Sequence, residues 1–565
     1  MHKIGIVILC LLLKITLVSG QSLPVGSPML TDALRRAQLL GQVDSSISFT
    51  VLPLFPQKAL KTENSFDPFN TLTGERWGKS AMALHFWGKN GKIQLLPITI
   101  QQQFNTHHPF SLNDGAMIPA RGYQTLIRGG LYAQAGPLSI QLNPEYIYAA
   151  NNDFQGFYKE FSDAVWTEYY RLYNNIDLPE KFGDKPYQKT FWGQSSIRLT
   201  AGPLSLGLSS ENLWWGPGIR NSLLMSNSAP GFLHFTVNTV KPIRTFLGNF
   251  EGQIICGRLE NSGFFPPDTS RTNDGTKLYI SKRDDWRYIN GYVLSYHPKW
   301  VPGLFLGINT THMVYHEDLG NSFRDYFPIF SSLTKKSNYG EGESEKPNDQ
   351  RLSIFTRWLW AKAHAELYVE YFREDHAFDL RDMILQIEHT HAWMFGIQKM
   401  IPLTRTNEYI QLQVEATKLE QTTTNPERPT GSVYLHYAGI SHGYSNYGQL
   451  LGAGIGPGSN MQTLAVSWVK QLKTIGIELN RVVQNNDLHN HAIKDPRANW
   501  VDLNIAAFGT WNYKNLLLSA KCQFINSYNY QHYYQPLTDK GDNSYWVPGK
   551  NTFNFQMQLS TSYRF

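Results

Sequence analysis

Alternation with a period of two constrains this chain more than any other feature of its sequence. In the final segment, Phe553, Phe555, Met557, Leu559, Thr561, Tyr563 and Phe565 stand on one side of an extended backbone, and Asn554, Gln556, Gln558, Ser560, Ser562 and Arg564 on the other, because successive strand side chains point to opposite faces. Apolar residues in a helix recur instead every three or four positions. The same rule, less strictly kept, runs through Lys92 to Phe104, Gly122 to Gln134, Leu138 to Tyr148, Leu204 to Ser209 and Leu464 to Leu472. From about Ser46 onward, segments of roughly 8–12 residues are separated by Gly, Pro, Asn and Asp, as in transmembrane barrel strands. Ala135-Gly136-Pro137-Leu138-Ser139 recurs as Ala201-Gly202-Pro203-Leu204-Ser205 between alternating segments, where a tight turn fits. Asn174 to Thr190, Phe264 to Lys277, His316 to Gln350, Glu420 to Gly431, Val483 to Asn499 and Gln535 to Asn551 are long and polar, and read as extracellular loops opposite short periplasmic turns.

The expectation is an all-β fold: a transmembrane antiparallel β-barrel over residues 46–565, preceded by a short periplasmic helical region over 21–45. Composition agrees, since only 17% of residues are charged while 15 Trp, 30 Tyr and 31 Phe can furnish aromatic girdles. A helical membrane protein would need several apolar runs of about 18 residues, and the sequence offers a single shorter one. It extends from Ile4 to Val18 behind Lys3, interrupted only by Lys14 and Thr16, with Val18-Ser19-Gly20 ahead of Gln21; residues 1–20 therefore read as a signal peptide. Cys10 lies within that run, and Cys256 and Cys522 read as packing residues, with no reason to expect the approach a disulfide needs. Leu30, Ala33, Leu34, Ala37 and Leu40 have helical spacing, with Ser27 or Thr31 as N-cap and Arg35 and Arg36 facing water. The helix either packs under the body or lies on a membrane. A net charge of +6 gives no argument for nucleic acid as a partner.

Motifs for chemistry are sparse. His312 and His316, and His389 and His391, complete no zinc pattern; neither a metal nor a cofactor is expected. Glu370 and Glu374 could form a glycosidase pair, although solvated or lumen-facing charge is the more common reason for such residues. The most unusual block is Glu211-Asn212-Leu213-Trp214-Trp215-Gly216-Pro217-Gly218, continuing through Arg220 to Ser226-Asn227-Ser228-Ala229-Pro230. In an extended backbone its adjacent tryptophans point opposite ways, so at most one reaches lipid. A lumen-facing indole would offer a platform for a sugar ring, whose C–H groups meet its π face; the alternative is a girdle residue beside a turn.

That block resembles the Wzi family of capsule-assembly proteins. So do Met117-Ile118-Pro119-Ala120-Arg121-Gly122, Gly257-Arg258-Leu259-Glu260, Glu366-Leu367-Tyr368-Val369-Glu370-Tyr371 through Glu374-Asp375, and Tyr444-Ser445-Asn446-Tyr447-Gly448-Gln449-Leu450-Leu451-Gly452 with Gly456-Pro457-Gly458-Ser459. The terminal Phe565 likewise resembles the C-terminal signal of exported outer-membrane barrels. The resemblance implies a barrel of about eighteen strands with a periplasmic helical element, residing in the outer membrane and helping to assemble or retain capsular polysaccharide at the cell surface. It also implies a lectin-like role without catalysis. Expected partners are the polysaccharide, outer-membrane lipid and, during biogenesis, the barrel-assembly machinery. Trp214, Trp215 and Arg220 are the candidate polysaccharide-binding residues, from their chemistry and their place in the shared block. The polar stretch from Lys335 to Gln350 departs from the family's pattern. A passive porin, and a glycan- or lipid-acting hydrolase using Glu370, Glu374 or a histidine near Ser441-His442, are the alternatives.

Overall fold

The structure, a computed structural model, describes residues 21–62, 64–69, 83–86, 91–327, 349–374, 380–421, 423, 431–435, 439–534 and 551–565. The expected signal peptide, most of Lys335 to Gln350 and most of Gln535 to Asn551 lie outside them.

Antiparallel ladders join successive strands from Gly248–Leu259 and Arg287–Pro298, through Asp349–Trp360 and Ala365–Glu374, to Val501–Tyr513, Leu516–Tyr528 and Thr552–Tyr563. Thr552–Tyr563 then pairs with Ile98–Asn105, whose other edge pairs with Gly122–Arg128. From there the ladders continue through Glu145–Ala149 and Leu138–Leu142 to Ser196–Ala201, Leu204–Ser209 and His234–Thr239, which meets Gly248–Leu259. The main sheet has 24 strand segments, and against the expected count several of these are halves of one interrupted strand. The interruptions lie side by side, at Leu96-Pro97, Gly129-Gly130 and Asn143-Pro144. Proline cannot donate to a ladder, and a Cβ on Gly130 would sit 1.8 Å from the Leu142 carbonyl oxygen.

The wall is apolar outside and polar inside. Leu208, Ile477, Ile505 and Phe553 are exposed, while Arg198, Arg351, Arg357, Glu366, Asn554 and Gln556 are buried. Such burial is expected of a membrane barrel whose outer face meets hydrocarbon and whose inner face meets polar groups. Exposed aromatics cluster near both strand ends, Trp300, Trp358 and Tyr513 at one and Trp393 and Tyr528 at the other. No helix among the described residues is long and apolar enough to cross a membrane. Cys256 and Cys522 are free.

The recurring Ala-Gly-Pro-Leu-Ser stretches are hairpin turns, with Ala135 paired to Leu138 and Ala201 to Leu204. Gly136 and Gly202 take φ of 58° and 59°, which a side chain would oppose. Loops at the other end are long, and the one after Ala149 contains a helix, Asp163–Tyr173, just ahead of the Asn174 to Thr190 stretch that the sequence marked as loop.

The lumen is filled by the chain itself. The N-terminal helix, Pro28–Leu39, lies at the short-turn end, where Arg36 donates to the Gln471 carbonyl at 3.3 Å. Residues 210–233, 431–435 and 439–459 fold inward from the long-loop end and carry much of the central apolar core, including Leu223, Leu224, Tyr434 and Tyr444. Arg35 and Arg36 are buried, contrary to the expectation that they face water. The helix is enclosed by a polar inner wall, so its cationic side meets Glu366, 2.7 Å from Arg35, instead of solvent. Ser27 is the N-cap, with Pro28 in the first turn, but its hydroxyl accepts from Arg128 at 2.8 Å.

Candidate functional site: the filled lumen and its cavity

The Trp214-Trp215 block forms part of the filling. Trp214–Trp215 pairs with Val51–Leu52 as a short antiparallel ladder inside the lumen, so neither indole belongs to a wall strand or faces lipid. Trp215 is 0% exposed, and its Nε1 donates to Gln253 at 2.9 Å. Its carbonyl accepts from Ser222 at 2.6 Å and Asn309 at 3.2 Å. Gly216 is required next: its φ is 138°, and a Cβ there would lie 2.8 Å from the Glu370 carboxylate.

Wall carboxylates anchor this segment. Glu415 accepts the backbone N–H groups of Ile219, Arg220 and Asn221, at 2.8 Å from the first and last, and the Tyr368 hydroxyl at 2.9 Å. Several amides converging on one carboxylate satisfy a charge that burial would otherwise penalise. The Arg220 guanidinium pairs with Glu478 at 2.8 Å and donates to Gln413 at 3.1 Å; Lys521 shares Glu478 at 2.8 Å. Glu370 accepts from Ser353 at 2.6 Å and from the Leu223 N–H at 3.2 Å, and Glu374 pairs with Arg351 at 2.6 Å. The lumen-facing account of Glu370 and Glu374 is therefore the one the structure supports. His442 is buried, 2.7 Å from the Tyr315 hydroxyl, and its imidazole is held down to about 2 by burial and by the nearby Arg287 and Lys282. No group of three or more metal-ligating side chains occurs among the described residues.

A cavity of about 360 Å³ remains between the filling and one side of the wall. Met29, Asp32 and Arg36 of the helix line it, with Trp214 and Arg220 from the inserted block and Gln101, Gln413, Lys521 and Gln558 from the wall. Burial pushes the Asp32 carboxyl up, against the pull of Arg36. Amides, charges and an indole edge together suit a polyhydroxylated ligand. The structure thus places Trp214 and Arg220 on one cavity and Trp215 behind them in the core.

Sequence reasoning missed an aromatic cluster at the long-loop end, where Phe157, Trp166, Tyr169, Tyr170 and Tyr173 pack with Leu278 and Leu488. Phe157 stacks on Tyr169 at 4.1 Å, and Arg271 lies 4.5 Å over Trp166. Its signal was present, since Trp166, Tyr169, Tyr170 and Tyr173 stand at helical spacing.

The sequence profile of the family described as capsule assembly protein Wzi matches residues 119–532. Compared by sequence with the curated proteins, the chain matches none. Among solved structures it is similar to Wzi of Escherichia coli, described as an outer-membrane protein involved in group 1 capsule assembly and a carbohydrate-binding β-barrel. That likeness has a TM-score of 0.56 at 11% identity and covers 95% of this chain and 98% of that one. OccAB4 of Acinetobacter baumannii gives a TM-score of 0.37 at 10% identity over 85% of this chain and 98% of that one. OccAB2 of the same organism gives 0.39 at 9% identity over 83% and 97%. The profile match spans most of the barrel, including the Trp-Trp-Gly-Pro-Gly block, and the chain belongs to the Wzi family of outer-membrane capsule assembly proteins.

Proposed function

We propose that this barrel retains capsular or related extracellular polysaccharide at the cell surface by binding, without catalysis. The observation that carries the reading is the filled lumen: residues 210–233, 431–435 and 439–459 occupy the space that a porin leaves for solute. The carbohydrate-binding description of the Escherichia coli relative agrees with it. Residues 1–20 direct export, and barrel-assembly machinery inserts the chain. Long loops at the extracellular end offer many weak contacts to a repeating polymer, and engagement of several at once raises avidity by about 10²- to 10⁴-fold over a single contact. Trp214 and Arg220 meet a sugar unit only by way of the luminal cavity, with Trp215 holding their segment in place. The buried carboxylates Glu370 and Glu374, each engaged by the filling or its neighbours, support binding over hydrolysis.

Deletion of the protein in its native strain, with polysaccharide quantified separately on cells and in the medium, tests this. The expected result is polymer moving from cells to medium at unchanged total. Unchanged cell-bound polymer would remove the reading's main support.

A further inference from the structure

The short-turn end carries a charge pattern that polysaccharide binding does not use. Its turns present Lys241, Arg244, Lys299, Lys362, Arg405 and Lys514, all exposed. The carboxylate in those same turns, Glu408, is engaged by Lys470 at 3.1 Å and by the Trp468 indole at 3.0 Å. Arg244 faces Asp44 at 3.3 Å; the other five have no carboxylate at ion-pair distance among the described residues. At the opposite end the signs are mixed, as where Arg283 meets Glu317 and Asp318.

Aromatic rings fix where these cations lie. Trp300 is 64% exposed and Phe246 80% exposed, on the turns that also carry Lys299 and Arg244. Lys299 lies 5.9 Å over Trp300, Lys514 5.5 Å over Tyr513 and, at the start of its strand, Lys473 4.3 Å over Trp511. Trp511 and Tyr513 belong to the outward row of their strand and Trp300 is exposed on the turn after Arg287–Pro298, so the ammonium groups beside them stand at head-group depth. They are also spread over successive turns along the rim, which suits many small anionic ligands better than a single acidic protein surface.

We infer that this periplasmic rim is a docking surface for anionic phospholipid head groups of the adjoining leaflet. Each phosphate diester accepts from a lysine or arginine while its acyl chains lie along the apolar wall. The inference rests on the orientation of the barrel in its membrane and is independent of what the extracellular end binds.

The test reconstitutes the full barrel in nanodiscs of equal phosphatidylcholine and phosphatidylglycerol and measures co-retained lipid by native mass spectrometry. Retention of phosphatidylglycerol over phosphatidylcholine by about threefold or more is expected. The combined Lys241→Gln, Lys299→Gln, Lys362→Gln and Lys514→Gln variant should bring the ratio close to parity, with folding confirmed by heat-dependent gel mobility. Equal retention by the unaltered barrel, or an unchanged preference in the folded variant, would overturn the inference. If the variant does not fold, about 0.5 M salt on the unaltered barrel replaces it: the preference must shrink, and its persistence counts against the proposal.

Discussion

The inner wall differs between two sectors. From Gly248–Leu259 round to His391–Pro402 it presents Ile255, Ile289, Val293, Met313, Phe355, Phe372 and Met394, which pack with Trp215, Leu223 and Tyr434 of the filling in one apolar core. From Tyr409–Lys418 round to Gly122–Arg128 it presents Gln413, Glu478, Lys521, Gln558 and Gln101, and there the cavity lies. The inserted segments are thus held to one side of the barrel mainly by apolar packing and to the other by polar contacts beside the cavity, among them Glu415 accepting three of their backbone N–H groups. A two-faced strand fixes only that its inner residues avoid lipid; whether they are apolar depends on what the chain later brings against them.

Within the apolar sector the largest single dependence is on buried ion pairs. Glu366 holds Arg35 at 2.7 Å and Arg357 through its Nε at 2.8 Å, so Glu366→Ala leaves two buried guanidinium groups without their carboxylate. A loss near 5 kcal/mol is expected, read from denaturant unfolding in detergent; an effect below about 1 kcal/mol would mean the helix is not fastened as described. Trp215→Ala comes next, at about 3–5 kcal/mol for removing a fully buried indole, measured in the same way.

A smaller effect depends on pH. His442 is held far below its ordinary value by burial, so the unfolded loop binds a proton that the folded loop refuses. Stability is then fully present above about pH 6.5 and lost as pH falls toward the folded value, with a slope of up to about 1.4 kcal/mol per pH unit. Amide protection factors over residues 439–459, with the intrinsic exchange rate at each pH divided out, should fall between pH 7 and pH 5, and His442→Gln should flatten that response. The smallest effect belongs to the cavity sector. Gln101→Leu alters a cavity-lining side chain and should move unfolding by less than about 0.5 kcal/mol; a cost approaching that of Trp215→Ala would erase the distinction between sectors.

Much of the wall was legible in the sequence because its alternation is local. The faces of Phe553 to Phe565, the turns at Gly136 and Gly202 and the helix near Leu30 to Leu40 each depend on a few adjacent residues. The filling was not legible in the same way. Arg35 and Arg36 occupy the polar side of an amphipathic helix, which ordinarily faces water, and nothing local announces Glu366, hundreds of positions away. Trp214 and Trp215 stood out, but their extended backbone was consistent with wall, loop or lumen until its partner Val51–Leu52 was known. The inserted segments open with the same Ser, Asn, Gly and Pro residues as surface loops; apolar residues within them, such as Leu213, Leu223, Leu224, Leu450 and Leu451, marked stretches too apolar to remain in water.

The central claim, that this barrel is closed by its own chain and holds polymer instead of passing solute, is tested most directly by single-channel recording of the purified protein in planar bilayers. The account predicts no steady open-channel steps from the intact barrel, with steps emerging when Glu366→Ala or removal of residues 21–45 loosens the filling. Stable porin-like conductance from the intact barrel would contradict it.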